Sequence, residues 1–597
     1  MTQRFVIATA GHVDHGKSAL VRALTGTEPD RWDEERERGL TIDLGFAEMT
    51  LDSGRSVSFV DVPGHERFLG NMLAGLGPAP IVCLVVSADD GWSAQTSEHR
   101  DAIAALGIDT GLVVISKLDL APDNVEIVTQ QIREELADTA LAEAPIVAVS
   151  ALAGTGLDTF PQELDGILNG IDSPDTSAPI RYWVDRSFAV KGAGTVVTGT
   201  LAAGTLRIND VLQLSGTDTQ ATVRNLQSHG SSANELTPVT RAAVNLRGVD
   251  AENITRGDVL VTPGAWFHTE VVDVVGTPGV DFTDLAQEFS VHIGTATAYV
   301  HCRPLGTNFA RLTLDRALPL HVGDRLILRG TGQRLITGGA TVLDVDPPTL
   351  RRRGAAKRRA ETLGQLGAAN HLEVEITRRG AIEQASLDAM GIPVPDPLPE
   401  TVLNHDEWFI HRERLAAWAR QLRDAVAAQY ERDPAAGGIS QQAAVHLLEL
   451  PHRNLLQLVV EHAELAERSG RVTDPGLKPT LGAAEAAVVQ LERRLLADPF
   501  TAPTADELAE LGLSDKELAA AAHQQRLLRL PDNIVLHPKT PAMAMRKLVR
   551  LEQPFTAADA RQALGTTRRT LIPLLEHLDA RGWTQRLDGN LRKVSGR

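Results

Sequence analysis

Cysteine is almost missing from this chain: there are two in 597 residues, Cys83 in an apolar strand and Cys302 in another extended stretch. So isolated a pair supports neither a disulfide framework nor a zinc site, and both read as core thiols. Long apolar runs are missing too. The longest, Ile81 to Val86, is far short of the ~20 residues a membrane span needs, and it reads as a buried strand. The chain passes from Met1 directly into an apolar strand, without the basic region, apolar segment and small-residue cleavage site of an export signal. A cytoplasmic protein with no membrane partner is the expectation.

At 597 residues and roughly 100–200 residues per domain, about four domains are expected. The net charge of −18 argues on average against a nucleic-acid partner. The average hides an asymmetry: Pro541 to Arg597 holds 11 Lys/Arg against 5 Asp/Glu, a balance of +6, so the first 540 residues carry −24. A basic end on an acidic chain is the electrostatic footprint of a nucleic-acid-binding tail.

The apolar run Phe5–Ala8 leads into Gly11-His-Val-Asp-His-Gly16-Lys17-Ser18 and then into helix-like Ala19–Leu24. Strand, glycine loop and helix start in this order form a polyphosphate cradle. The backbone N–H groups of Asp14, His15, Gly16, Lys17, Ser18 and Ala19 curl around phosphates, Lys17 reaches the outer ones, and the Ser18 hydroxyl ligates Mg²⁺. A charged stretch from Pro29 to Arg38 follows, too polar for a core and expected to be mobile. It precedes Thr41, whose hydroxyl can reach the same Mg²⁺ and would order the loop when the third phosphate is present. A hairpin, Leu44–Leu51 and Ser56–Val60, ends at Asp61-Val-Pro-Gly64-His65. There Asp61 can hold the Mg²⁺ shell through water, the Gly64 N–H can meet the γ-phosphate, and His65 would face the attacking water.

Later apolar strands Ile81–Ser87, Gly111–Ser116 and Pro145–Ser150 alternate with helical stretches, which implies a doubly wound α/β domain. Two strand ends carry base-reading candidates. In Ser116-Lys117-Leu118-Asp119 the lysine stem can lie along a purine, and the Asp119 carboxylate can accept from guanine N1–H and its exocyclic amine. Ser150-Ala151-Leu152 offers a backbone N–H to guanine O6. Adenine has no matching donor pair, so GTP and GDP are the expected nucleotides.

Together Gly11–Ser18, Arg38–Ile42, Asp61–His65, Ser116–Asp119 and Ser150–Leu152 resemble the five motifs of the translational GTPases. The resemblance implies that His65 orients the hydrolytic water. Ser116 departs from it, standing where most of the family has an asparagine that tethers the phosphate loop and the base.

Beyond the linker-like Ser173–Pro179, short alternating segments recur with glycine turns up to about residue 350, the pattern of two consecutive β-barrels. Asp185-Arg-Ser-Phe-Ala-Val-Lys191-Gly-Ala-Gly194-Thr-Val-Val-Thr-Gly199 resembles the second-domain signature of elongation factor Tu and its relatives, and its wording is most similar to the selenocysteine-specific elongation factors. That resemblance implies a pocket for an aminoacylated tRNA. Arg241 aligns with an asparagine of elongation factor Tu. A selenol is ionised at neutral pH where a serine hydroxyl is not, so a guanidinium there recognises selenolate and is poorly compensated by serine. Asp185 would aim Arg241, and Arg186 would add positive potential.

From about residue 351 helices take over. Arg351–Arg359 reads equally as a tRNA contact or a soluble hinge. Turns at Gly470, Asn533 and Gly589 recur about 60 residues apart behind helical stretches, which implies winged-helix repeats. The expected fold is multidomain: an α/β P-loop GTPase domain (1–172), two β-barrels (174–264 and 265–348), a linker (349–372), then C-terminal α+β winged-helix repeats (373–434, 435–480, 481–540 and 541–597). In the last repeat Thr566 or Thr567 caps a helix with the core stripe Leu571, Leu574, Leu575 and Leu578. Pro573 leaves that helix's boundary open. Arg568 and Arg569 at its start, with Arg586, Arg592 and Lys593 on the wing, are the candidate RNA-binding residues.

The resemblance implies a ribosome-stimulated GTPase that carries selenocysteinyl-tRNA to recoded UGA codons. It would act as a monomer, held to an mRNA hairpin (SECIS) by the last module. Two other functions fit parts of the chain: a GTPase partner of a metabolic enzyme, as in sulfate activation, and a regulator or helicase loader whose winged helices bind DNA. The first leaves Arg241 and the basic tail unexplained; the second predicts duplex binding without a tRNA complex.

Overall fold

In the computed structural model the described residues are 3–29, 41, 43–65, 68–77, 79–171, 175–192, 194–228, 230–330, 336–366, 370–433, 437–477, 481–587 and 591–595. The charged stretch 30–40, expected to be a mobile loop, and the turn glycine Gly589 lie outside them. Two compact units divide near residues 400–410.

The first unit begins with a six-stranded sheet of order β2-β3-β1-β4-β5-β6. Its strands are β1 (Arg4–Ala10), β2 (Gly45–Thr50), β3 (Ser56–Asp61), β4 (Ile81–Ser87), β5 (Gly111–Ser116) and β6 (Ile146–Ala148). All neighbours are parallel except β2 with β3. Side chains alternate across the sheet, so each strand feeds two cores. Phe5, Ile7, Ile81, Cys83 and Val85 pack with Leu20, Val21, Phe160 and Leu164 of helices Lys17–Thr25 and Thr159–Leu168. Val6, Ala8, Val82, Leu84 and Val86 pack with residues of Leu69–Leu76, Ala94–Leu106 and Val125–Leu136 on the other face. The order reverses at β1, so the carboxyl ends of β1, β3, β4 and β5 open on one crevice, where such folds bind ligands.

Two barrels follow as expected. In the first, the order β10-β15-β7-β8-β14-β11 closes through β10–β11 pairing; its strands are β7 (Arg181–Val190), β8 (Gly194–Leu201), β10 (Val211–Leu214), β11 (Gln220–Ser228), β14 (Thr240–Arg247) and β15 (Val259–Val261), with the short β9 (Leu206–Arg207), β12 (Ser231–Ala233) and β13 (Glu235–Leu236) beside them. The second is a closed six-stranded barrel between β16 (His268–Gly276) and β21 (Ile336–Asp344).

The segment 349–372, expected as a linker, contains the helix Ala355–Leu363. Arg359 on it is buried and bonds Asp273 of β16 at 2.7 Å and Asp344 of β21, while Arg311 takes the other side of Asp273. Four chain segments that share one buried ionic network cannot part without stranding a charge, so this helix is fixed to the barrel. Arg351–Arg353 and Arg358 of the same basic run remain exposed.

In the second unit, helix Arg412–Arg432 packs on Gln441–Leu448 and Leu455–His462 above the hairpin Ala466–Arg468/Arg471–Thr473. The border expected at residue 434 therefore moves to about 410, because this long helix opens the second winged-helix module and does not close the first. The third module has helices Glu485–Ala497, Ala505–Glu510 and Asp515–His523 with hairpin Leu528–Leu530/Ile534–Leu536. The last has Thr540–Leu548, Ala557–Leu564 and Arg568–Ala580 with wing Thr584–Arg586/Leu591–Val594. Among the described residues no helix is long and apolar enough to cross a membrane.

Candidate functional site

The phosphate loop leaves β1 through Gly11, whose φ is +124° and whose Cβ, were there one, would sit 2.2 Å from the Val85 carbonyl oxygen. No side chain fits there. Gly16, at φ +78°, caps helix Lys17–Thr25 and points the helix N-terminus into the loop. Lys17 is buried, its Nζ donating to the carbonyls of Gly11 at 3.0 Å and His12 at 2.7 Å. The ammonium is thus held against the loop. Asp14 is exposed and its N–H meets His12 Nδ1 at 3.3 Å; His15 is buried, with Nδ1 against the Val85 carbonyl, and burial lowers its pKa so that it stays neutral.

Three oxygens expected to serve one cation do converge. Ser18 Oγ lies 2.6 Å from Asp61 Oδ2 and 3.0 Å from Thr41 Oγ1. Thr9 on β1, not singled out from sequence, donates to Asp61 Oδ1 at 2.7 Å and accepts the Val62 N–H, which fixes the carboxylate's direction. Hydroxyl and carboxylate oxygens form the hard donor set that suits Mg²⁺.

Gly64 packs directly on this loop: a Cβ there would meet Lys17 Nζ and the Val13 nitrogen at 2.6 Å each. His65, the next residue, is partly exposed, with its ring 6.2 Å from that of Phe68. A second histidine went unnoticed in the sequence. His99 is fully buried on helix Ala94–Leu106, accepts the Gly11 N–H at Nδ1 and bonds the Gly64 backbone. Burial, reinforced by Lys17, depresses its pKa to about 3, so it ties phosphate loop to Gly64 as a neutral strut. The available signal was its place on the buried face, at i−3 and i−4 from Ala102 and Ile103.

At the base end, Asp119 is exposed and its carboxylate accepts the Ser150 hydroxyl at 2.5 Å, while Ser150 Oγ accepts the Ala153 N–H. Lys117, at φ +54°, pairs with Asp89 at 3.2 Å. Ala151 is half-buried and Leu152 is 90% exposed. Ser116 keeps half of what asparagine does elsewhere: its Oγ donates to the His15 carbonyl at 2.6 Å, tying β5 to the phosphate loop. A hydroxyl has one proton to give, so none remains for the base.

In the first barrel Asp185 and Arg241 meet as a two-bond pair, one contact being Nη2 to Oδ1 at 3.2 Å, and Thr198 donates to the same Oδ1 at 2.6 Å. Both partners are largely buried. The Arg241 guanidinium lies 3.5 Å from the ring centroid of Phe46 on β2. Arg186, expected to add positive potential at the pocket, sends its guanidinium to Asp43 Oδ2 and the Leu44 carbonyl, each at 2.8 Å, and leaves a buried Nε without a hydrogen-bond partner. Arg256, missed in the sequence, joins the Asp185 carbonyl at 3.0 Å to Asp43 at 2.9 Å and to Asn71. Burial opposes ionisation of Asp43, but the two arginines prevail and hold its carboxyl below the usual range.

In the last module Thr567, and not Thr566, caps helix Arg568–Ala580, which runs through a buried Pro573. Thr566 instead donates to the Phe500 carbonyl. Arg568, Arg569, Arg586 and Lys593 are exposed. Arg592 is not an RNA-facing residue: it is 4% exposed and bonds Asp579 at 2.9 Å. Alternation along the wing strand sends Arg592 inward and Lys593 outward. Arg592→Ala is expected to destabilise this module by roughly 3 kcal/mol, as removing one partner of a buried pair does. The measurement is amide-exchange protection over Arg568–Ala580, and unchanged protection would contradict a structural role.

Family models match in the same order as the domains: Elongation factor Tu GTP binding domain at residues 2–170, Elongation factor Tu domain 2 at 194–261, the β-barrel domain of Selenocysteine-specific elongation factor at 281–349, and Elongation factor SelB, winged helix, at 547–593. The Selenocysteine-specific elongation factor of Desulfomicrobium baculatum is 30% identical, covering 99% of this chain and 100% of that protein. Its counterpart in Escherichia coli K12 is 32% identical, covering 97% of each. The crystal structure of bacterial selenocysteine-specific elongation factor EF-Sec superposes over 100% of both chains with a TM-score of 0.79 at 25% identity.

Proposed function

Because this chain belongs to the selenocysteine-specific elongation factors, a family of translational GTPases, we propose that it carries selenocysteinyl-tRNA to the ribosome at UGA codons. In this reading it works as a GTP- and Mg²⁺-bound monomer, held to an mRNA hairpin by its last winged-helix module. One observation carries the reading. Arg241, aimed by Asp185 and Thr198, presents a guanidinium in the barrel that follows the GTPase domain. Selenolate offers it a full charge; a serine hydroxyl leaves it under-compensated.

The chemistry follows from the residues already placed. Lys17 and the helix N-terminus take up phosphate charge. Ser18 and Thr41, with Asp61 behind them, would hold Mg²⁺, which neutralises charge on the outer phosphates. His65, positioned by the packing of Gly64 on Lys17, aims water at the γ-phosphate, and the bond from the terminal phosphorus to the GDP oxygen breaks. Arg186 and Arg256 grip Asp43 two residues beyond Thr41, so the state of the nucleotide is communicated to the barrel that holds the aminoacyl group.

The deciding experiment compares selenocysteinyl-tRNA with seryl-tRNA on the GTP-bound protein. The parent should prefer the former, and Arg241→Ala should weaken it about 10- to 100-fold while GTP affinity holds, as expected for losing one charge-assisted contact of about 1.5–3 kcal/mol. Equal binding of the two aminoacyl-tRNAs by the parent would falsify the assignment. For the tail, replacing Arg568 and Arg569 together by alanine should reduce the salt slope of hairpin binding by about two ions. A slope that does not change would remove these arginines from the interface, and preference for duplex DNA over an RNA hairpin would replace the RNA assignment.

A further inference from the structure

One wall of the aminoacyl site is supplied by neither barrel. Phe46 belongs to β2 of the GTPase sheet, opposite Val60 of β3. It is only partly buried and packs at the edge of the core. Arg241 stacks on its ring, with Cζ 3.5 Å from the ring centroid, and Arg186 approaches the same ring at 5.5 Å. Asp185 meanwhile holds Arg241 by its edge. Edge and face are thus fixed by different domains.

We infer that Phe46 is a specificity-determining positioning residue for the aminoacyl group, acting through Arg241. This rests on the reading that Asp185 and Arg241 form the selenocysteinyl pocket. The physical reason is hydration. A guanidinium exposed on both faces is well solvated and gains little by exchanging water for selenolate. One stacked on a ring has lost water from that face and is locked in plane. Its remaining donors lie along the edge, where an anionic side chain satisfies them and a neutral hydroxyl leaves them short. Only 12% of the Arg241 side chain is exposed, so the cost of an unmatched partner is felt in a largely dry environment. Phe46 also follows Asp43 and Leu44, the two residues clamped by Arg186, so the ring is delivered by the domain that binds the nucleotide.

The test measures dissociation of selenocysteinyl-tRNA and seryl-tRNA from the full GTP-bound chain for the parent, Phe46→Leu, Phe46→Met and Phe46→Tyr. Leucine and methionine keep apolar bulk without a ring and guard against a single poorly folding variant; tyrosine keeps the ring. The parent's preference for selenocysteinyl-tRNA should fall about tenfold in both ring-free variants, the size of a desolvated cation–π contact. It should stay within about twofold of the parent in Phe46→Tyr. Full preference in the ring-free variants, or an equal loss in Phe46→Tyr, overturns the inference. A parent without preference overturns the underlying pocket assignment instead.

Discussion

Asp119→Asn is expected to cut GTP affinity by about 10²–10⁴-fold, from the loss of two charge-assisted hydrogen bonds at about 1.5–3 kcal/mol each. Guanine presents two donors side by side, the N1–H and the exocyclic amine. A carboxylate accepts both. An asparagine accepts with its oxygen but opposes the second donor with its own NH₂. The Ser150 hydroxyl on Asp119 orients the carboxylate at the end of β5, so the substitution should change base recognition without moving the phosphate loop, which Ser116 ties down separately. Xanthine carries an oxygen where guanine has its amine, so xanthosine triphosphate should recover much of the lost binding. Competition between the two nucleotides by fluorescence displacement reads this directly. A variant that still prefers GTP, or that binds neither nucleotide, contradicts the role given to Asp119.

The second large effect is expected at His65. His65→Ala should slow ribosome-stimulated hydrolysis by on the order of 10²–10⁴-fold, the usual range for a positioned group acting on a proton or water. GTP binding should change little, because the phosphate contacts come from the loop Gly11–Ser18 and from Lys17. Gly64 is wedged against Lys17 and Val13, and His65, the next residue, is half open to solvent. Single-turnover phosphate release on ribosomes separates this loss from any loss of tRNA binding. Hydrolysis within about tenfold of the parent would assign the water to another group.

Much of the nucleotide site was legible because each of its parts is local in sequence. Gly11, Gly16, Lys17 and Ser18 sit within one loop, and Asp61, Gly64 and His65 within one turn; strand ends read from an apolar run place them on the same edge of the sheet. Helices and barrels were legible for the same reason, since a period of 3.6 or 2 is written into neighbouring residues. Residues that act by packing were not. Thr9 looks like any β-strand hydroxyl until Asp61 is beside it. His99 looks like a polar residue on a surface helix until burial makes it a neutral link between Gly11 and Gly64.

Charge runs misled for a related reason. Arg592 and Lys593 are equivalent in a basic stretch, but a strand sends adjacent side chains to opposite faces, and the inward one found Asp579. Arg359 looks the same as the exposed arginines before it, yet helix periodicity turned it onto Asp273 and Asp344. The long helix Arg412–Arg432 crossed an expected border because sequence marks where a helix lies but not which neighbours it joins.

By itself, then, the sequence determined the nucleotide, the order of the domains and the basic end, all of which depend on residue types at short spacing. The expected pair of Asp185 with Arg241 formed, but only the tertiary structure decided that Arg186 turns to Asp43 and that Phe46 covers Arg241. Asp185 and Arg241 lie on two different strands of one barrel, and Phe46 comes from another domain; the pairing of β7 with β8 and of β8 with β14, together with the clamp of Arg186 on Asp43, brings them together. A guanidinium's chemistry is set by what covers its faces and edges, and that is settled only once distant segments have packed.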